Sequence, residues 1–394
     1  MTTLQCNMAA EQSRRERATR LVFLLAGIAM ASWAPLVPYV KNRLAIDAGS
    51  LGVLLLCLGI GSLMAMPVTG ALVARHGARP VIVCSSLVAL ACLPLLAGLS
   101  WLPVAFVVLL VFGGAIGMLD VAMNLQAVVV ERESGRTIMS GFHGMFSLGS
   151  LAGVGIMMAL LAWGTSPVMA TLVVVALSLV ALVVAWEGLL VGGAPPAEGP
   201  LFAVPRGVVL LLGVVCGVSF LVEGAMLDWV AVLLHEYRQV DTAYAGLGYA
   251  LFSVTMTVGR LTGDRITTRF GHVAVATLGP ILAALGMLLI CLIPHWSGVA
   301  MGCILVGVGC ANLVPVMFSL AGRQTLMPER IALPAVATMG YAGILAGPAA
   351  IGFVADVTSL VSALFMLVGL LMLASLIAAS IQRSSFLSLP GNHG

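Results

Sequence analysis

The sequence predicts an all-α membrane protein with twelve transmembrane helices in two six-helix halves, and three observations carry that prediction. Of its 394 residues, 61% are hydrophobic and only 8% charged, with a mean hydropathy of +1.14; soluble domains hold about 25% charged residues. Twelve apolar segments can be counted, each near the roughly 20 residues that a helix needs to cross a bilayer core of about 30 Å. Two stretches of the first half also recur 194 residues later in the second.

The first segment, 20–43, follows Arg14, Arg15, Arg17 and Arg20 and superficially resembles a secretory signal. Its apolar run, 21–39, is too long for a typical signal core and more spans follow, so it is expected to stay as the first transmembrane helix. The next five segments are 49–74, 80–99, 102–130, 138–163 and 167–187. A Gly/Pro-rich stretch, GLLVGGAPPAEGPLFAVPR at 188–206, then reads as a linker. The second half continues with 207–234, 243–268, 273–293, 297–322, 331–356 and 359–381. The expected domains are an N-terminal tail (1–19), an N-terminal bundle (20–187), the linker (188–206), a C-terminal bundle (207–382) and a C-terminal tail (383–394).

Charge sets the expected orientation. With the N-terminus inside, Arg14, Arg15, Arg17, Arg20, Arg75, Arg79, Arg132, Arg136, Arg206, Arg265, Arg269, Arg323, Arg330 and Arg383 lie on the inner side, against Lys41, Arg43 and Arg238 outside. This asymmetry satisfies the positive-inside rule and predicts a multi-pass protein of a bacterial inner membrane with both termini in the cytoplasm.

The repeat is read from two places. After the second segment the connection is GALVARHGARP (70–80), and after the eighth it is DRITTRFGHVA (264–274). Aligning Arg75-His76-Gly77 with Arg269-Phe270-Gly271 gives the spacing of 194, which also places Gly149 and Gly153 on Gly343 and Gly347. Two matches at one spacing predict a duplicated six-helix unit. Glycines four apart allow close helix approach, and packing alone accounts for them.

The fourth segment contains the residue that asks most for explanation. Asp120 sits near the centre of VFGGAIGMLDVAMNLQAVVV (111–130), and no Lys or Arg lies between Arg79 and Arg132. A carboxylate at mid-bilayer costs about 2.5–3.5 kcal/mol on insertion scales, so it is expected to face protein or water and, by default, to serve function. Asn124, four residues on, shares its helical face and can hydrogen-bond the carboxyl group or a polar ligand. Glu223 is a second deep acid, suited to a proton or an amine, and Asp228 follows on an adjacent face as a ligand or external-gate residue. His143 is placed either to relay a proton or to bond a helix end. Trp33, Trp229 and Tyr341 are candidate cavity rings, with core packing as the alternative. Asn312 and Pro315 interrupt the tenth segment, where a freed carbonyl or the amide could meet substrate.

Other classes find little support. The eight cysteines form no CxxC and the six histidines no metal-ligand spacing, so no metal or cofactor is expected beyond protons as the coupling ion. No paired carboxylates, nucleophile or phosphate loop suggests an enzyme or an ATP-driven pump. The basic residues are too dispersed for nucleic acid. A sensor would be expected to carry a soluble signalling domain, and the segment after Ile381, QRSSFLSLPGNHG, reads as a short tail.

The chain resembles the major facilitator superfamily across almost its whole length. Gly70, Leu72, Arg75, Gly77 and Arg79 match that family's G-x-L-x-D-R-x-G-x-R/K loop, whereas Ala74 stands in place of the loop acid and Thr268 occupies the equivalent place in the second half. The resemblance implies a cytoplasmic gate at Gly70, Arg75, Gly77 and Arg79, with Arg260 and Asp264 as a replacement pair. Within the family it is similar to the YbjJ-like branch and, distantly, to fucose/proton symporters. This rests on Ala31-Ser32-Trp33-Ala34, Asp120-x-x-x-Asn124 with Glu131, Phe142-His143-Gly144 through Ser147-Leu148-Gly149, Glu223-Gly224 with Asp228-Trp229, and Gly340-Tyr341 with Gly347-Pro348. The run Trp33-Ala34-Pro35-Leu36 lacks an Arg often found there in the branch. The implied function is a secondary active transporter in the lipid bilayer, monomeric, moving a small sugar- or polyol-like solute with protons bound at Asp120 and Glu223. The alternative is a proton-coupled exporter of a drug or metabolite.

Overall fold

The computed structural model describes residues 3–46, 48–192, 204–239 and 247–381; most of the expected linker and the C-terminal tail with Arg383 lie outside the described residues. Among the described residues fourteen α-helices run in order: α1 (Thr3–Ala31), α2 (Val37–Leu44), α3 (Ala48–His76), α4 (Ala78–Gly98), α5 (Leu102–Ser134), α6 (Met139–Ala162), α7 (Pro167–Ala185), α8 (Val208–Val232), α9 (Leu247–Phe270), α10 (His272–Leu292), α11 (Trp296–Cys310), α12 (Leu313–Arg323), α13 (Glu329–Val357) and α14 (Leu360–Ile381). No β-strand occurs among the described residues.

Eleven of the described helical stretches are long and apolar enough to cross a membrane. The remaining expected span is α9, helical for 24 residues but made more polar by Arg260, Asp264, Arg265 and Arg269. Two expected spans are interrupted. Pro35 has no N–H for the next turn, so α1 stops at Ala31 and a tight 3-10 turn, Ala34–Leu36, leads into α2. Pro315 likewise separates α11 from α12. The N-terminal segment expected as a tail is instead the first part of α1. Ion pairs hold it: Arg15 with Glu11 at 2.5 Å and with Glu133 at 2.7 Å, and the buried Glu16 with Arg136 and Arg20.

The chain divides into two compact units, one of residues Met1–Arg136 and Phe142–Ala203, the other of Thr137–Gly141 and Val204–Gly394. In the first, α3 packs on α5, and an added Cβ on Gly113 would overlap the Leu58 carbonyl. In the second, α8 packs on α13, and α10 on α11 and α14. The 194-residue echo extends to helix ends: α3 and α9 end at His76 and Phe270, α4 and α10 run Ala78–Gly98 and His272–Leu292, and α5 and α11 begin at Leu102 and Trp296. Gly77 and Gly271 precede the third helix of each half with φ of 86° and 82°, a left-handed conformation that favours glycine. Gly149 and Gly343 bring backbones together equivalently: an added Cβ would overlap the carbonyl of Leu24 or Gly217.

Two arginines play matching roles in the halves, one residue off the 194-residue spacing. Arg43 donates to the carbonyls of Leu96, Ala97 and Leu99 at the end of α4. Arg238 donates to Ile290 and Cys291 at the end of α10. Each covers carbonyls that a helix C-terminus leaves unpaired.

Candidate functional site

In the first unit, α5 carries Asp120 midway along its 33 residues. The carboxyl group is half-buried and makes no ion pair among the described residues. Its partner is Asn124, whose Nδ2 donates to the Asp120 carbonyl at 2.9 Å and to Oδ1 at 3.4 Å. Asn124 is wholly buried, and its Oδ1 meets Nε2 of His143 from α6 at 3.2 Å. Because the amide nitrogen faces Asp120, its oxygen must accept, so His143 carries a hydrogen on Nε2. Phe23 of α1 packs edge-on to that imidazole at 5.3 Å. An amide does not hand on a proton as a wire does; His143 therefore orients Asn124 toward the acid. Trp33 is buried in the unit's apolar core, beside Ile28 and Leu36.

The second unit carries the other acid in a different setting. Glu223 lies on α8, and Arg260 of α9 reaches its Oε2 at 3.2 Å and Oε1 at 3.4 Å. Ser219, one turn earlier, donates to Oε1 at 3.3 Å. Arg260 is 7% exposed, and its Nε donates to the carbonyl of Ala311 at 3.2 Å. That acceptor exists because of Pro315: four residues later, it has no N–H to offer Ala311. The freed carbonyl expected from the sequence is thus occupied by Arg260. Beside it, Asn312 donates through Nδ2 to Gly259 at 3.1 Å, while its buried Oδ1 has no hydrogen-bond partner among the described residues. Gly263 makes room for that oxygen, since an added Cβ would overlap it.

The aromatic candidates of this unit are partly buried. Tyr341 packs against Phe220 with ring centroids 5.8 Å apart. Trp229 lies against Gly352, and its buried Nε1 has no hydrogen-bond partner among the described residues. Asp228 is exposed.

The residues expected to form a gate separate into different roles. Arg79 donates to the carbonyls of Glu187 and Leu189 at 3.3 and 3.0 Å and lies over the Trp186 ring at 5.3 Å, tying the end of α7 to α4. Gly70 is buried in α3 and Arg75 is exposed. Within the second unit, Asp264 accepts the backbone N–H of Gly141 at 2.9 Å, and Thr137 donates to the Asp264 carbonyl at 3.2 Å. Arg260, at position 14 of the 24 residues in α9, meets Glu223 on α8. Sequence reading missed the Glu223–Arg260 pair, although a lone arginine inside an apolar helix signals a buried partner.

Two units of membrane-spanning helices, repeated in order and each holding a half-buried acid, define a polytopic transporter-like protein. Residues 21–324 match the family model of the Major Facilitator Superfamily, and the chain belongs to that family. It is 48% identical to an uncharacterized MFS-type transporter of Yersinia pestis over 92% of this chain and 94% of that one. It is 35% identical to an uncharacterized transporter, y4wD, of Sinorhizobium fredii, over 88% and 93%. Among solved structures it is similar in fold to FucP of E. coli in the outward conformation, with a TM-score of 0.80 at 15% identity over 93% of this chain and 98% of that one.

Proposed function

We propose that this transporter is a secondary active one that moves a small polar solute, sugar- or polyol-like, by alternating access, with protons coupled through Asp120 and secondarily Glu223. The observation that carries the reading is Asp120 itself, an acid midway along a membrane-spanning helix, held by one amide and paired with no cation among the described residues. Such a carboxyl group can gain or lose a proton without stranding a buried positive charge. Glu223 must first leave Arg260, and separating a buried pair is costly. FucP, described as a fucose:proton symporter, supports the reading by analogy of fold. The distribution of arginines supports an inner-membrane location with both termini in the cytoplasm. The exposed Asp228 would suit a rival reading, export of a cationic drug or metabolite.

The test is solute-driven proton flux in proteoliposomes loaded with a pH dye, comparing wild type with Asp120→Asn. Asparagine keeps the size and cannot titrate. Loss of proton flux with solute binding retained supports the assignment; normal flux in the variant refutes it. The sign of the flux separates symport from antiport.

A further inference from the structure

We infer that the second unit holds a binding site for an anionic phospholipid of the surrounding bilayer, which seats an acyl chain in a cavity at the start of α9 and sets its phosphate on Arg238. The cavity measures about 720 Å³, within the roughly 300–1,000 Å³ of pockets that bury small organic ligands. Its apolar wall comes from three places: Leu234 just after α8, Leu247 and Leu251 on the first turns of α9, and Pro294, Trp296 and Ala300 around the start of α11. Gly248 marks where two of these elements converge, since an added Cβ there would overlap the side chains of Val230 and Leu234. Such a lining suits hydrocarbon and offers a polar solute little.

Two polar groups complete the wall. Arg238 donates to the carbonyls of Tyr237, Ile290 and Cys291 and pairs with no acid among the described residues, so its charge stays available at the cavity for an anion. His295 accepts the backbone N–H of Ser297 through Nδ1 at 3.3 Å, which leaves the hydrogen of a neutral ring on Nε2 as a second donor. An anion without a tail would leave the apolar wall wet, and a tail without an anion would leave Arg238 unmatched. A phospholipid supplies both. Trp296 and Leu247 line the cavity and are also exposed, as are Leu292 and Ile293 at the end of α10. Exposed apolar side chains of a membrane helix face lipid, and tryptophan and arginine at its end sit at the level of the headgroups. The arginine distribution puts this end on the outer side, so the lipid is one of the outer leaflet.

The experiment uses purified full-length protein in a neutral detergent, with retained lipid counted by native mass spectrometry. The probe is dioleoyl phosphatidylglycerol. Dioleoyl phosphatidylcholine keeps the chains without the net charge, glycerol 3-phosphate is the headgroup alone, and oleate is a soluble anionic tail. Phosphatidylglycerol should be retained more tightly than all three. Arg238→Gln should weaken its retention about ten-fold, the scale of a lost hydrogen bond to a charged group, and Arg238→Lys should recover part of that. Arg43→Gln, which removes the matching arginine from the end of α4, should leave retention unchanged. Because Arg238→Gln also takes donors from Ile290 and Cys291, Ala300→Phe serves as a second variant: it fills the cavity, keeps every charge and should weaken retention as well. The inference is overturned if phosphatidylcholine is retained equally, if Arg43→Gln weakens retention as much as Arg238→Gln, or if Ala300→Phe leaves it unchanged. Tighter binding of oleate would also overturn it, making the occupant a free fatty acid, and tighter binding of glycerol 3-phosphate would make it a soluble anion.

Discussion

The two units carry the same helical repeat and treat their half-buried acids in opposite ways. Asp120 is held by a neutral chain, with Asn124 donating to it and His143 donating to Asn124. Glu223 faces the cation Arg260 and accepts from Ser219. The repeat does not dictate this, because the residues 194 positions from Asp120 and Glu223 are Val314 and Ala29. Duplication supplied the scaffold, and each half acquired its own polar site. A neutral chain suits an acid that changes charge often, whereas an ion pair suits one that changes only when something replaces it.

Single and double substitutions can break the contrast. The largest effect is expected from Arg260→Gln, which leaves Glu223 without its cation: breaking a buried pair costs about 3–5 kcal/mol. Adding Glu223→Gln should recover most of that loss, measured by unfolding in mixed micelles. If the double variant is as unstable as the single, the pair is not a self-contained unit. Next comes His143→Phe, which leaves the buried Oδ1 of Asn124 without this donor at a cost of about 1–3 kcal/mol. Its effect on Asp120-dependent flux should exceed that of Trp33→Phe in the apolar core; equal effects would remove His143 from the site. Asp120→Asn, which breaks no ion pair, should change stability by less than about 1 kcal/mol while removing proton flux, in contrast to Arg260→Gln.

The scaffold comparison is sharpened by glycines. Gly77→Ala and Gly271→Ala each force alanine into a left-handed conformation, at about 1–2 kcal/mol. Gly77 also faces Gly192, 2.9 Å from where the new Cβ would stand, whereas no atom of the described residues lies within 4 Å at Gly271. The first substitution should therefore lower the midpoint of thermal unfolding more than the second. Equal shifts would mean that the Gly192 backbone gives way freely.

Much of the scaffold was legible because membrane solvent imposes simple rules. Apolar length marked the spans, and the loop Arg-x-Gly pattern marked the repeat that helix ends later matched at Gly77 and Gly271. The interruption at Asn312 and Pro315 was also legible, since proline lacks the N–H a helix needs. The helical start of α1 was not, because its stability comes from Glu133 and Arg136, more than a hundred residues away. Asp120 and Asn124 could be paired from the sequence, being one turn apart on one helix.

What the sequence by itself determined is therefore everything set by local periodicity and by the cost of placing polar groups in hydrocarbon: the helices, the duplication, and the two acids that needed an explanation. Tertiary structure decided which groups those acids meet. A spacing of four offered Asp264 as a partner of Arg260, but no spacing announced that the guanidinium reaches sideways to Glu223 on another helix and to the carbonyl that Pro315 leaves free. Partners across helices depend on how two helices rotate and pack against each other, and neither periodicity nor composition of a single segment records that.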